Sequence, residues 1–145
     1  MGFSADESRS IVAMLAKTPI FASLDAKHLQ KLVDSAKDRD YKAGDGIVRE
    51  GDAGVGFFLI IRGSAEVRHA GKTLSSLGPG QYFGEMTLLD EKPRSADVVA
   101  TSDTRCLVLS TMNFAALIVS NPKIALELLR ELARRLRATN KSLSE

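Results

Sequence analysis

The sequence predicts an α+β chain that is mainly β: an antiparallel barrel, roll or sandwich of about eight short strands, with helices before and after it. Three observations predict this. From Asp38 to Leu109, short apolar runs alternate with glycine-containing breaks. Both ends instead carry apolar residues at helical spacing. Finally, 145 residues can bury one sizeable core but do not divide comfortably into two domains of ordinary size. We therefore expect a single domain over 1–145, with N-terminal helices in 1–37, β structure in 38–110 and C-terminal helices in 111–145.

In chain order, Ser4 to Lys17 sets Ile11, Val12, Met14 and Leu15 among polar residues, an amphipathic helix that Pro19 closes. Asp25 can cap a second helix from Ala26 to Lys37, where Leu29, Leu32 and Val33 recur at helical spacing. Strand-like runs follow at Gly46 to Val48, Phe57 to Ile61, Ala65 to Val67 and Thr73 to Leu77. Breaks fall at Lys42 to Gly46, Gly51 to Gly56, Arg62 to Ser64, Ala70 to Lys72 and Gly78 to Gly80. After an interruption from Phe83 to Arg94, strands resume at Asp97 to Ala100 and Arg105 to Leu109. A helix over Asn113 to Val119 is followed by Asn121 as N-cap and Pro122 at the first position of a long helix reaching about Thr139. On that helix Ala125, Leu128, Leu129, Leu132 and Leu136 make an apolar stripe, and Glu127–Arg130 and Glu131–Arg135 can pair on the polar side. The stripe can pack on its own β domain or against the same helix of a second chain.

The composition, 44% hydrophobic and 26% charged, is that of a folded domain and excludes a disordered tail. A net charge of +2 is too small to argue for a nucleic-acid partner. From Pro122 onward the balance is six basic residues against three acids, or +3, leaving −1 for the rest. Interleaved Glu127 and Glu131 make that tail a solvated helix face rather than a membrane-binding one. A lone cysteine, Cys106, excludes an internal disulfide, and its setting in Cys-Leu-Val-Leu suits a small buried hydrophobe better than a reactive thiol. Asp6 and Glu7 stand where a signal peptide would carry basic residues, and no apolar run approaches the roughly 20 residues needed to span a bilayer. The expected location is the cytoplasm, without membrane insertion.

The segment Gly80-Gln-Tyr-Phe-Gly-Glu-Met-Thr-Leu-Leu-Asp-Glu-Lys-Pro-Arg-Ser-Ala carries the chemistry. Glycine lets the backbone approach a ligand, and a short helical turn is expected from Glu85 to Leu89. The free N–H groups of Gly84, Glu85 and Met86 at its start favour an anion. Ten residues after Gly84, the Arg94 guanidinium can donate two hydrogen bonds to a phosphate. Glu85 would repel that phosphate unless aimed elsewhere, and its natural complement is a hydroxyl donor such as a ribose 2′-OH. Together they suit a sugar carrying a singly charged phosphate, held without a metal. An ion pair stapling a loop to the β domain would explain Glu85 and Arg94 alone, but not the glycine, helix start and Ser-Ala that stand in register with them.

Other motifs fall away. Gly51, Gly54 and Gly56 run G-x-x-G-x-G into a strand, which is a turn and not a dinucleotide loop. Ala70-Gly71-Lys72-Thr73 ends like a phosphate-binding loop but has Glu66 where that motif needs glycine, so Gly71-Lys72 reads as a hairpin turn. His28 and His69 have no metal-ligand spacing. With no nucleophile–base arrangement either, catalysis is not expected.

Phe-Gly-Glu at 83–85, then Leu-Leu, then Pro-Arg-Ser-Ala ending at Ala96, resembles the phosphate-binding cassette of the cyclic-nucleotide-binding family. Glu50-Gly-Asp and Phe57-Phe-Leu-Ile-Ile-Arg-Gly resemble that family's strand-and-glycine pattern, so the likeness runs from about Phe21 to Leu136. The family includes catabolite-activator-like regulators, regulatory subunits of cyclic-nucleotide-dependent kinases and cytoplasmic domains of channels. The resemblance implies a jelly-roll-like, eight-stranded antiparallel β-roll with N-terminal helices, a short phosphate-binding helix and C-terminal lid helices. It implies a ligand, cAMP ahead of cGMP, and no cofactor or metal. Glu85 would take the ribose 2′-OH and Arg94 the cyclic phosphate. The backbones of Gly84 and Ala96 and the Ser95 hydroxyl would complete the phosphate cradle, in a binding segment that also includes Phe83 and Met86. Leu88 and Leu89 would relay occupancy to the C-terminal helix, from which Arg130 and Arg134 are expected to reach the purine. Ser95 is compatible with both bases. A homodimer through the terminal helix would follow the dimeric regulators of the family. Its DNA-binding members continue into a helix-turn-helix, whereas nine residues follow Leu136, so nucleic-acid binding by this chain alone is not expected.

Overall fold

The computed structural model of the chain describes residues 2–52, 56–85 and 94–144, with side chains through residue 141. Helix α1 spans Ala5–Ala16, and the Ser4 hydroxyl accepts a hydrogen bond from the Glu7 N–H at 3.1 Å to cap it. Helix α2 spans Ala26–Ser35, capped in the same way by Asp25 on the His28 N–H at 2.9 Å. It stops two residues short of the expected Lys37, because Lys37 begins the first strand.

Eight strands follow: β1 (Lys37–Tyr41), β2 (Gly46–Val48), β3 (Gly56–Arg62), β4 (Ala65–His69), β5 (Lys72–Leu77), β6 (Tyr82–Phe83), β7 (Asp97–Ala100) and β8 (Thr104–Ser110). They form two antiparallel four-stranded sheets, ordered β1-β8-β3-β6 and β2-β7-β4-β5. Six of the eight coincide with the expected apolar runs. The other two, β1 and β6, lack an apolar run of their own. Strand β1 reads Lys-Asp-Arg-Asp-Tyr and is held by its pairing to β8, with Asp40 opposite Arg105. Strand β6 is two residues long and ends at Phe83, where the segment read as an interruption begins.

The first sheet is covered on both faces. Phe57 and Leu59 of β3, with Leu107 and Leu109 of β8, pack against Ile11, Leu15, Phe21, Leu29 and Leu32 of the helical layer. The alternate residues Phe58, Ile60 and Cys106 face Ala65 and Val98 of the other sheet. This is why Phe57 to Ile61 is a continuous hydrophobic run: a strand buried on both sides has no face to leave polar. Cys106 is fully buried, as expected, and burial pushes its thiol up to about 12.

Helix α3 (Thr111–Ser120) starts two residues before the expected Asn113, with Ser110 accepting from the Asn113 N–H at 3.1 Å. Helix α4 (Pro122–Ser144) follows after a bend of 107° and runs past the expected end near Thr139. Asn121 does not cap α4 with its side chain. Its amide turns back to donate to the Leu117 carbonyl at 3.4 Å, while its own carbonyl accepts from the Ile124 N–H. The apolar stripe also divides differently from expectation. Ile124 and Leu128 are buried against the core, whereas Leu129 and Leu136 are exposed. Among the described residues, no single helix is long and apolar enough to cross a membrane.

Candidate functional site

A cavity of about 380 Å³ lies between the second sheet, the end of β6 and helix α4, lined in part by both ends of the interruption read from the sequence. Val48, Val67, Leu77 and Val98 give it apolar walls, and Glu85, Arg94, Ser95 and Arg135 are its charged and polar edge. A few convergent polar groups over an apolar surface are the usual make-up of a small-molecule site.

Arg94 is placed by backbone on both sides. Its N–H donates to the Asp52 carbonyl and its carbonyl accepts from the Gly51 N–H, each at 2.9 Å. The Glu50-Gly-Asp stretch thus works as the partner that holds the arginine. Next to it, the Glu50 N–H donates to Asp97 Oδ1 at 2.7 Å. The Arg94 guanidinium lies 5.8 Å from the Phe58 ring centroid, and its Nη2 donates to the Gly56 carbonyl at 2.8 Å. Nη1 is buried, and among the described residues it has no hydrogen-bond partner. Burial lowers the Arg94 pKa from the ordinary guanidinium value, an effect that attraction to Glu85 opposes. A guanidinium nonetheless stays protonated in proteins, so its unmatched N–H is a standing demand for an acceptor.

Gly84 makes room for this group. Its φ of +95° lies in the left-handed region, and a Cβ there would come within 2.6 Å of Arg94 Nη1 and 2.7 Å of the Gly56 carbonyl oxygen. Only glycine satisfies both requirements. Phe83 is buried and stacks on Phe58 at 4.9 Å, so it anchors the segment in the core while its edge lines the cavity.

Glu85 stands at the cavity edge and is 5% exposed. Its Oε1 accepts from Arg135 Nη1 at 2.6 Å. That contact comes from helix α4 and is the one ion pair between the helix and the cavity edge among the described residues. Arg135 also lies over Tyr82, with 5.8 Å to the ring centroid. Burial pushes the Tyr82 phenol up to about 12, helped by Glu85 and opposed by Arg135. Burial lowers the Arg135 pKa, and its bond to Glu85 more than restores it.

Of the segment expected to bind ligand, Phe83, Gly84, Glu85, Arg94, Ser95 and Ala96 all line this cavity. Met86, Leu88 and Leu89 lie outside the described residues, as does Gly54. Arg130 and Arg134 are not brought to the cavity. They are exposed and pair with Glu127 and Glu131, each at 2.6 Å. Arg135, which the sequence reading paired with Glu131, takes the position instead and keeps only a 3.7 Å contact with Glu131. A helix of 3.6 residues per turn explains the difference: Ile124, Leu128 and Arg135 fall on one face, and that is the face docked on the core. Among the described residues, no group of His, Cys, Asp and Glu is arranged to hold a metal.

The chain is similar in sequence and fold to known proteins. The model of the family described as cyclic nucleotide-binding domain matches residues 38–121. The cyclic AMP receptor protein of Thermus thermophilus is 39% identical over 125 residues, covering 83% of this chain and 58% of its own length. A cAMP-dependent protein kinase regulatory subunit of Mycosarcoma maydis is 37% identical over 103 residues, covering 66% of this chain and 20% of its own length. Among solved structures, the Thermus thermophilus catabolite activator protein superposes with a TM-score of 0.80 at 38% identity, over 87% of this chain and 62% of that one. The chain therefore spans little more than half of one curated relative and a fifth of the other.

Proposed function

This chain belongs to the cyclic nucleotide-binding domain family, and from that premise we propose that it is a non-catalytic sensor of a cyclic nucleotide monophosphate, cAMP ahead of cGMP. The observation that carries the reading is Arg94 Nη1, buried at the cavity edge without an acceptor among the described residues. A buried donor left unmatched costs about 1–3 kcal/mol, and more when it is charged, so the fold carries this cost for a partner. A cyclic phosphate offers one negative charge and two free oxygens to meet it.

In this reading Arg94 takes the phosphate, with the backbones of Gly84 and Ala96 and the Ser95 hydroxyl closing around it. Glu85 accepts from the ribose 2′-OH, and the base lies against Val48, Val67, Leu77 and Val98 beneath helix α4. Occupancy shifts the position of α4, which is how binding energy becomes an output. The preference for cAMP follows the names of the relatives, while Ser95 is compatible with either base. The location we propose is the cytoplasm, and the role is that of a sensor within a regulator, channel or kinase subunit.

Calorimetric titration with cAMP and cGMP tests it. Both should bind at one site, cAMP more tightly, and Arg94→Ala should cost on the order of 2 to 5 kcal/mol in affinity. Failure of well-folded protein to bind either nucleotide would overturn the proposal and leave an interaction module of the same fold.

Exposed Leu129 and Leu136, seven residues apart on α4, support a further element: pairing of this helix with that of a second copy. Sedimentation of Leu129→Glu against the unmodified chain checks it, and an unchanged monomeric mass in both removes it.

A further inference from the structure

Glu85 and Arg135 form an ion pair at the edge of the cavity, and both line it. The Glu85 side chain is 6% exposed, so its charge is held away from water. Such a carboxylate needs a matching cation or hydrogen-bond donor to stay buried. Among the described residues no hydrogen bond or ion pair joins it to Arg94, whose Nη2 donates to the Gly56 carbonyl. Arg135 supplies the match at 2.6 Å, using Oε1 alone.

We propose that Arg135 is a positioning residue for ribose recognition: by holding Glu85 Oε1 it presents the second carboxylate oxygen to the ligand's 2′-hydroxyl, so that this hydroxyl is sensed by a Glu85–Arg135 couple. This rests on the reading of the cavity as a cyclic-nucleotide site. Charge balance agrees with it. Arg94, Glu85 and Arg135 sum to +1, which one cyclic phosphate neutralises, whereas Arg94 and Glu85 alone sum to zero and leave the ligand's charge unmatched. Position agrees as well, since Arg135 borders both the main cavity and an adjoining one of about 210 Å³ beside Tyr82 and Gln81. An ordinary surface ion pair would have both partners in water, as Arg134 and Glu131 nearly do. The Arg135 bond ends instead on a buried carboxylate. Because Arg135 stands on α4, the same bond ties the sugar's recognition to the placement of that helix.

The test compares cAMP with 2′-deoxy-cAMP by titration on the unmodified chain, Arg135→Ala, Arg135→Lys, Glu85→Ala and the Glu85→Ala/Arg135→Ala double variant. The unmodified chain should prefer cAMP on the order of tenfold or more, the worth of a hydrogen bond to a charged group. Arg135→Ala should bring the ratio close to that of Glu85→Ala, the double variant should lower it no further, and Arg135→Lys should restore part of it. A merely structural role for Arg135 would weaken both nucleotides alike and leave the ratio unchanged, which would overturn the inference alone. A ratio that rises in Arg135→Ala would mean that the arginine competes with the ribose, and overturns it too. Absence of binding by either nucleotide to the folded, unmodified chain would overturn the reading of the cavity and this inference together.

Discussion

The bare Cα of Gly84 lies against the guanidinium of Arg94, so closely that a methyl group there would come within 2.6 Å of Nη1. The same methyl would meet the Gly56 carbonyl oxygen, which is the acceptor of the other Arg94 nitrogen. One glycine thus keeps clear both the unmatched Nη1 donor and the bond that aims the guanidinium.

Gly84→Ala should therefore do two things at once. The φ of +95° is strained for any residue with a Cβ, which should cost about 1–3 kcal/mol of stability. Displacement of Arg94 should in addition lower cAMP affinity at least tenfold, a loss on the order of 1.4 kcal/mol or more. Urea unfolding and titration measure the two separately. An alanine variant with unchanged affinity would mean that Arg94 is not placed by this contact.

Replacing the arginine itself should separate stability from binding. Arg94 is 5% exposed with one nitrogen unmatched, so the fold carries a desolvation cost in the absence of ligand. Methionine has similar length, packs on Phe58 and needs no acceptor, although it frees the Gly56 carbonyl. Arg94→Met is expected to be neutral or stabilising by about 1 kcal/mol while abolishing phosphate recognition. An unfolding midpoint clearly below that of the unmodified chain would show that Arg94 serves the fold rather than a ligand.

What the sequence made legible, and what it hid, follows from where each residue's reason lies. Glu85 and Arg94 were readable because glycine, carboxylate and guanidinium sit within one short segment, and all three line the cavity. Strand β3 was readable because both its faces are buried. Strand β1 was not, because its place depends on Arg105, distant in sequence, which collects Asp38 and Asp40 from one face of the strand. Arg135 was missed for a related reason. The hydrophobic stripe pointed through Leu129 and Leu136, whereas the docked face runs through Ile124 and Leu128 to Arg135. Which face of an amphipathic helix meets the core is settled by tertiary packing, and the exposed leucines gave a competing answer.

Cys106 should be inert in the folded state. Burial raises its thiol from an ordinary value near 9 to about 12, so the folded protein disfavours the thiolate. Tyr82 moves in the same direction, from 10 to about 12. Folded-state values raised above the unfolded ones mean that this part of the stability is fully present below about pH 9 and is lost as pH rises toward 12. Thiol labelling at pH 8 should need unfolding, and the unfolding midpoint should fall steadily above pH 9. Rapid labelling of folded protein at pH 8 would contradict this.

Arg105 should decide whether helix α1 stays on the domain. It is 8% exposed and donates to Glu7 through Nε at 2.8 Å and Nη2 at 3.0 Å, to Asp40 through Nη1 at 2.8 Å and to Asp38 through Nη2 at 3.2 Å. The Glu7 bond is the first cause of its raised pKa, against the pull of burial. Phe3 covers the guanidinium at 5.1 Å, so one side chain from β8 gathers the N-terminal segment, α1 and β1. Arg105→Ala removes the buried centre of this cluster while Glu7 keeps Arg62 and Asp38 keeps the Gly2 N–H, and it should cost about 1–3 kcal/mol. Amide exchange in α1 discriminates between two ways of losing that stability. If the cluster holds the helix, α1 amides should lose protection before those of β3 and β8. If Ile11 and Leu15 hold it through the core instead, all three elements should lose protection together. Because α1 packs on the face of the first sheet away from the cavity, cAMP affinity of the folded Arg105→Ala fraction should stay within about twofold of the unmodified chain.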